Sequence, residues 1–345
     1  MNFEMSVLKK MPEKSWPLIM DLIDTVLKEN WMDPFTVEMI RYQLEGGGKR
    51  IRPAIVLGLH RIFGGEDRKA LGFAAAVELI HNASLVHDDI QDQDEYRRGK
   101  HAAWRKYTTN QAINLGDILF ATAFEVFMKS DLPVSIKMEI VRLTMRAVGE
   151  LVNGQVQEII FRKGGEVTVE NYLNMVGGKT GSLFRLAARG AMVLTGNGSE
   201  HDLDDLTSLG SSIGNLFQAR DDIIDIIGLK EGRKAGSDVM EGKISILTSI
   251  SLAKLEEEGR RELLDLLAAP RDSKDRGVVE KVEEIYRKTG AIEEATAVYW
   301  RERERIFSVP IVKNNASLGS FISEIAAMIS LPLDENSATK RGMSR

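Results

Sequence analysis

The eight prolines of this sequence stand at positions 12, 17, 34, 53, 133, 270, 310 and 332, so residues 54–132 and 134–269 contain none. Proline removes a backbone donor and clashes with the preceding helical turn, so proline-free spans of this length leave room for long helices. The apolar pattern fills that room. In "VSIKMEIVRLTMRAVGELVNGQVQEIIF" (134–161) apolar residues recur at three- and four-residue steps, and "ATAFEVFM" and "LTSLGSSIGNLFQARDDIIDIIG" do the same. Period-two alternation is nearly absent, and no Asn-Gly pair joins two strand-like runs. The expectation is an all-α chain of ten or more helices.

"FRKGGEVT" and "LTGNGSEHD" read as helix–helix turns, and "LAAPRDSKDRG" as a polar surface loop. No low-complexity linker divides the chain. One large helical domain is therefore expected over residues 1–333, followed by a frayed tail over 334–345. At 43% hydrophobic and 28% charged the chain can bury a sizeable core. A net charge of −5 gives no electrostatic case for nucleic acid. The absence of cysteine excludes disulfides and thiolate sites and fits a cytoplasmic location. The N-terminus lacks the apolar core of a signal peptide, and no apolar run reaches the ~18 residues of a membrane span.

"LVHDDIQDQDEYRRGK" (85–100) puts four aspartates within seven residues at the end of an apolar stretch. "RDDIID" (220–225) repeats the D-D-x-x-D spacing inside apolar surroundings. In a helix, Asp88 and Asp92 share one face, as do Asp221 and Asp225. Like charges four apart cost roughly 0.2–0.5 kcal/mol per pair, and more near apolar neighbours. A solvated acidic face would explain one such motif. Two, each in apolar company, point to a divalent cation and a phosphorylated ligand, because Mg²⁺ is commonly held by one or two carboxylates plus substrate phosphates.

Cations accompany the aspartates. "EGGGKRIRP" (45–53) sets three glycines before Lys49, Arg50 and Arg52, with Pro53 expected at the first position of a helix. Close-approaching backbone, a helix N-terminus and three cations make an anion site. The P-loop spacing is missing. "YRRG" supplies Arg97 and Arg98, "GGKTGSLF" (177–184) supplies Lys179 and Thr180 in a small glycine turn, and "GRKAGSDVMEGKIS" supplies Lys234 and Lys243. His81 falls two turns before Asp88 on the same face.

Taken together, "GGGKRIRP", "DDIQDQDEYRRGK", "GGKTGSLF", "FQARDDIID" and "GSDVMEGK" resemble, in order and spacing, the trans-isoprenyl diphosphate synthases, or polyprenyl synthetases, over about residues 40–250. The resemblance implies the isoprenoid synthase fold, a single bundle of long helices around a central cavity, usually as a homodimer. It implies a transferase that condenses isopentenyl diphosphate with an allylic diphosphate. Asp88, Asp92 and Asp221, with Asp89, Asp222 and Asp225 beside them, would hold Mg²⁺, three ions per site, on the allylic diphosphate. Arg97, Lys179, Thr180, Gln218, Lys234 and Lys243 would hold the allylic substrate, and Lys49, Arg52, His81 and Arg98 the diphosphate of isopentenyl diphosphate. Lys179, Thr180 and Gln218 would serve the carbocation. The small Ala83 and Ser84, before Asp88, would leave the product tunnel open, with Ile80 and Phe124 closing it deeper down, which implies a twenty-carbon product.

The sequence departs from the usual family pattern at His101-Ala102, where Pro-Thr is common, and at Glu158, where Asp is common. Arg233 beside Lys234 leaves open which of the two meets the diphosphate. A fifteen-carbon or longer-chain synthase is the alternative within the family. A class I terpene cyclase would not need "GGGKRIRP", and a non-catalytic partner subunit would not need both aspartate motifs.

Overall fold

The structure, a computed structural model, describes residues 14–29, 32–227 and 235–331. Lys234, Arg233 and the expected tail lie outside the described residues. The helices are α1 (Trp16–Glu29), α2 (Pro34–Leu44), α3 (Ile51–Ile62), α4 (Asp67–Asp92), α5 (Ala103–Lys106), α6 (Thr109–Met128), α7 (Val134–Arg162) and α8 (Val169–Val176). A π-turn over Gly177–Gly181 leads into α9 (Ser182–Val193) and α10 (Glu200–Ile226). Then come α11 (Ser237–Glu241), α12 (Ile246–Lys254), α13 (Glu257–Ala268), α14 (Arg276–Lys288), α15 (Ala291–Ser308), α16 (Pro310–Lys313) and α17 (Ala316–Met328). Among the described residues the only ladder is a two-residue hairpin, β1 (Tyr96–Arg97) with β2 (Lys100–His101). The all-α expectation holds, with α4, α7 and α10 running 26, 29 and 27 residues through the proline-free spans.

Local chemistry sets the helix starts. Asp33 accepts from the amides of Phe35 and Thr36 at 2.9 and 3.0 Å, ahead of Pro34 at the first turn of α2. Thr168 caps α8 through the Asn171 amide at 3.0 Å. Ser245 and Thr248 form a reciprocal capping box at α12.

The chain divides into two compact units, neither continuous in sequence. The first takes the described parts of Met1–Val148 together with Leu183–Gly210 and Val309–Glu324. The second takes Gly149–Ser182, Ser211–Ser308 and the described part of Ile325–Arg345. The division falls inside α7, α9, α10 and α17 and, once, at the short connection between α15 and α16, so it leaves no long linker to read.

In the first unit α4 packs against α6 and α3. Phe73 and Phe127 meet edge to face at 5.9 Å, among fully buried Val77, Ile80 and Leu119. In the second, α12 packs against α15 and α8. Its buried hydroxyls are satisfied across the packing: Thr248 with Tyr286 at 2.6 Å, and Ser251 with Thr289 at 2.8 Å.

Three local expectations are corrected. Pro53 is the third residue of α3, not the first, because Arg50 takes the N-cap position in the left-handed region at φ 48°. Arg50 is also no part of an exposed anion site: it is buried, pairs with buried Glu78 and stacks on Trp16 at 3.9 Å. The "LAAPRDSKDRG" loop is not wholly at the surface. Lys274 is buried there, and its ammonium donates to the carbonyls of Leu267, Val239 and Met240 at 2.7, 2.9 and 3.3 Å. Burial brings that ammonium down to about 8. A lysine's three N–H groups match the three carbonyls at the ends of α11 and α13, which is why a cation is tolerated inside.

Candidate active site

In the first unit, Asp88, Asp89 and Asp92 occupy the last turn of α4, which Gln93 closes at φ 55°. A helix C-terminus carries partial negative charge, so acidic side chains there are unfavourable by about 0.3–1 kcal/mol each. Like-charge repulsion adds to this. A side chain of the same unit supplies an internal counter-charge. Arg97 donates through Nε to Asp89 at 2.7 Å and again through Nη2, and lies 3.5 Å from Asp94 and 4.0 Å from Asp88. Burial still raises the Asp89 carboxyl to about 6, while Arg97 is pushed above its ordinary value by its carboxylates despite burial. Asp94, which the motif spacing did not single out, is buried, with a carboxylate oxygen within 4.8 Å of one from Asp92.

Arg97 reaches α4 because the β1–β2 turn is made by Arg98 at φ 52° and Gly99 at φ 78°. Two successive left-handed residues match the twist of a two-residue hairpin, and a non-glycine residue accepts that conformation only at some cost. What it gains is reach. The Arg98 guanidinium donates to the Gly47 carbonyl and lies over Gly48, where a Cβ would meet it at 2.6 Å. The three-glycine loop is thus shaped to this side chain. Arg52, half-buried, stacks on Phe184 at 4.5 Å, with a buried Nε that has no hydrogen-bond partner. Burial, with Arg98 close by, brings Arg52 down to about 10. His81 sits among these cations: burial, then Arg52 and Arg98, hold it well below its usual value, so it is neutral. Lys49 is exposed on the same loop. Lys49, Arg52, His81 and Arg98 therefore belong to one cationic neighbourhood of the first unit.

Beyond Asp88 the face of α4 carries Ser84 and His81, which keep some accessible surface. Ala83 and Ile80 keep none. Phe124 is half-buried on α6.

In the second unit, Asp221, Asp222 and Asp225 stand in the last turns of α10, again at the helix end where a carboxylate is least favoured. Their surroundings differ. Asp222 accepts from Gln218 Nε2 and the Ile246 amide, both at 2.8 Å, and from the Tyr172 hydroxyl at 2.5 Å. Asp225 accepts from the Ser237 hydroxyl at 2.5 Å and the Asp238 amide at 3.0 Å. Burial and nearby Asp238 raise Asp222 to about 7 even so. Asp221 is only half-buried.

Lys179 and Thr180 lie in the π-turn, which continues the helix rather than ending it as a glycine turn would. Lys179 pairs with Glu158, which also pairs with Arg162. The Thr180 hydroxyl donates to Gln218 Oε1 at 3.0 Å. Lys243 pairs with Glu241 at 2.7 Å. Glycines press the π-turn onto α7: a Cβ on Gly154 would stand 2.3 Å from the Lys179 amide nitrogen and 2.9 Å from the Gly178 carbonyl carbon. Backbone cannot yield as a side-chain tip can. Gly154→Ala is expected to cost about 1–3 kcal/mol and to displace Lys179. A lower thermal midpoint with reduced turnover checks this, and unchanged values would show that the two segments can part freely.

Comparison with known proteins agrees with this architecture. The sequence pattern of the family described as polyprenyl synthetase matches residues 33–286. A short chain isoprenyl diphosphate synthase of Methanothermobacter thermautotrophicus is 33% identical over 296 residues, covering 85% of this chain and 88% of that one. A geranylfarnesyl diphosphate synthase of Aeropyrum pernix is 35% identical, over 76% of this chain and 83% of that one. The crystal structure of geranylgeranyl pyrophosphate synthetase from Pyrococcus horikoshii superposes with a TM-score of 0.80 at 31% identity, over 92% of this chain and 97% of that one.

Proposed function

This chain belongs to the polyprenyl synthetase family and is a prenyltransferase, and on that premise we propose that it joins isopentenyl diphosphate to an allylic diphosphate, giving a trans-polyprenyl diphosphate of twenty carbons. The observation that carries the reading is the placement of both D-D-x-x-D motifs at helix C-termini. A helix C-terminus disfavours carboxylates and like charges repel one another, whereas a cation bound to them reverses the balance.

The donor set fits Mg²⁺, which favours hard carboxylate oxygens. Asp88, Asp92 and Asp221 are the proposed ligands, with three ions per site. Asp89 holds Arg97 in place, and Asp222 and Asp225 fix the end of α10 through their protein donors. Bound there, Mg²⁺ would supply positive charge that favours departure of the allylic diphosphate.

The chain's own residues do the rest. Lys179, with Lys243, Lys234 and Arg97, neutralises diphosphate oxygens. Thr180 and Gln218 present oxygen dipoles to the allylic cation. Arg52, Arg98 and Lys49 grip the diphosphate of isopentenyl diphosphate. Neutral His81 donates a hydrogen bond there without adding charge. None of these side chains is a general base, and the released diphosphate accepts the proton lost from the condensed product.

The two diphosphate sites separate in kinetics. Arg52→Ala is expected to raise KM for isopentenyl diphosphate, and Lys179→Ala that for the allylic substrate, each by roughly ten- to a hundredfold. Equal effects of both variants on both substrates would refute the assignment.

Twenty carbons rest on the small, accessible Ser84 one turn before Asp88. Incubation with Mg²⁺, farnesyl diphosphate and isopentenyl diphosphate, with products sized after dephosphorylation, tests the reading. A C20 alcohol supports it. A longer chain corrects the length, a cyclic hydrocarbon replaces it with cyclase chemistry, and no product removes it. Two copies are proposed to associate, since α7 exposes Met138, Met145 and Val152 at seven-residue steps. Among the described residues no helix is long and apolar enough to cross a membrane. A cytoplasmic site of action is proposed on the chain's lack of cysteine.

A further inference from the structure

Tyr172, seven residues before Lys179, belongs to none of the motifs that identify the family, yet its hydroxyl is buried in the second unit and donates to Asp222 Oδ2 at 2.5 Å. The same oxygen accepts the Ile246 amide at 2.8 Å. The other carboxylate oxygen accepts Gln218 Nε2 at 2.8 Å, and Gln218 Oε1 accepts the Thr180 hydroxyl at 3.0 Å. These bonds form one chain, from Tyr172 through Asp222 and Gln218 to Thr180.

A carboxamide has a donor end and an acceptor end of nearly the same shape, so only its partners decide which way it faces. Asp222 Oδ1 accepts from the NH₂ end of Gln218 at 2.8 Å and so holds that end toward itself. The carbonyl end must then face Thr180. Asp222 is aimed by Tyr172 and Ile246, which occupy one of its oxygens and leave the other for Gln218. Thr180 itself sits in the π-turn, whose backbone is held by Gly154 and Gly178.

We propose that Tyr172 is a positioning residue for prenyl transfer: through Asp222 it sets the orientation of the Gln218 amide, so that an oxygen dipole and not an NH₂ group is offered to the allylic cation. This rests on the reaction proposed above. It concerns a residue that touches neither diphosphate, so its removal acts on the chemical step and spares substrate binding.

Tyr172→Phe keeps the buried ring and deletes the donor. The expected result is a fall in kcat of about ten- to a hundredfold, with KM for both diphosphates within about twofold of native and the thermal midpoint little changed. In a Gln218→Ala background the same substitution is expected to change kcat by less than about twofold, because the orientation it controls is already gone. Native kcat in Tyr172→Phe, KM values that rise with the loss, or an undiminished effect in the Gln218→Ala background would each overturn the proposal. If Tyr172→Phe does not fold, Asp222→Asn carries the test. Its NH₂ facing Gln218 turns that amide over, so a lower kcat at native KM is expected and a retained kcat overturns it. A native protein that forms no prenylated product rejects the reaction. An active native protein with an unimpaired Tyr172→Phe rejects only the role of Tyr172.

Discussion

Asp88→Ala and Asp221→Ala are each expected to lower kcat by about a thousandfold or more while the far-ultraviolet circular dichroism stays native. A metal that stabilises a departing diphosphate is worth several kcal/mol, and about 4 kcal/mol corresponds to a thousandfold. The fold loses little, because each residue stands at a helix end that disfavours it and neither is deeply buried. Relief of one like-charge pair is worth roughly 0.2–0.5 kcal/mol, so the ligand-free thermal midpoint is expected to hold or rise slightly. Asp89→Ala provides the contrast. It strips half-buried Arg97 of its closest carboxylate, so it is expected to cost stability as well as turnover. Near-native turnover of Asp88→Ala at saturating Mg²⁺ would remove that motif from the metal site.

These three aspartates also mark how far the sequence could be read. The proline-free spans and the three- and four-residue periodicity carry the helices, because both are local properties of a single element. The acidic motifs point to the chemistry, since a clump of like charges in apolar company is unfavourable without a counter-charge. Partnerships between distant residues are not legible in that way. Asp88 and Asp89 are neighbours of the same type, and only the turn at Arg98–Gly99 decides that Arg97 reaches Asp89. Arg50 and Arg52 look alike in "KRIRP", but Glu78 and Trp16 claim the first and leave the second beside His81. Lys274 reads as a loop charge until three helix-end carbonyls are brought around it. Tyr172 lies 50 residues from Asp222, and no spacing rule joins them. The three-glycine loop was legible as a close approach, but the object approaching it is the chain's own Arg98 guanidinium. The two-unit division is hidden for a related reason: all but one of the crossings between the units lie inside continuous helices.

Ser84→Phe is expected to shorten the main product, from the proposed twenty carbons to fifteen. Ser84 stands one turn before Asp88 and retains accessible surface, and its hydroxyl only donates back to the His81 carbonyl at 2.8 Å. An aromatic ring there has space to enter, and that space is where a growing chain would lie. The neighbouring position behaves differently. Ala83 has no accessible surface, being packed within the fold, so Ala83→Phe must displace its neighbours at a cost of about 1–3 kcal/mol before it shortens anything. Loss of stability is thus its first expected effect, and a shorter product follows only if the ring turns toward the Ser84 face. Phe124, half-buried on α6, is the candidate floor, because α6 is the helix packed along α4. Phe124→Ala is expected to lengthen the product, whereas Phe127→Ala, which empties a core site against Phe73, is expected to cost about 3–5 kcal/mol without a change in length. Mass spectrometry of the dephosphorylated alcohols decides between these outcomes. A Ser84→Phe enzyme that still makes the native product would place the growing chain on another face of α4.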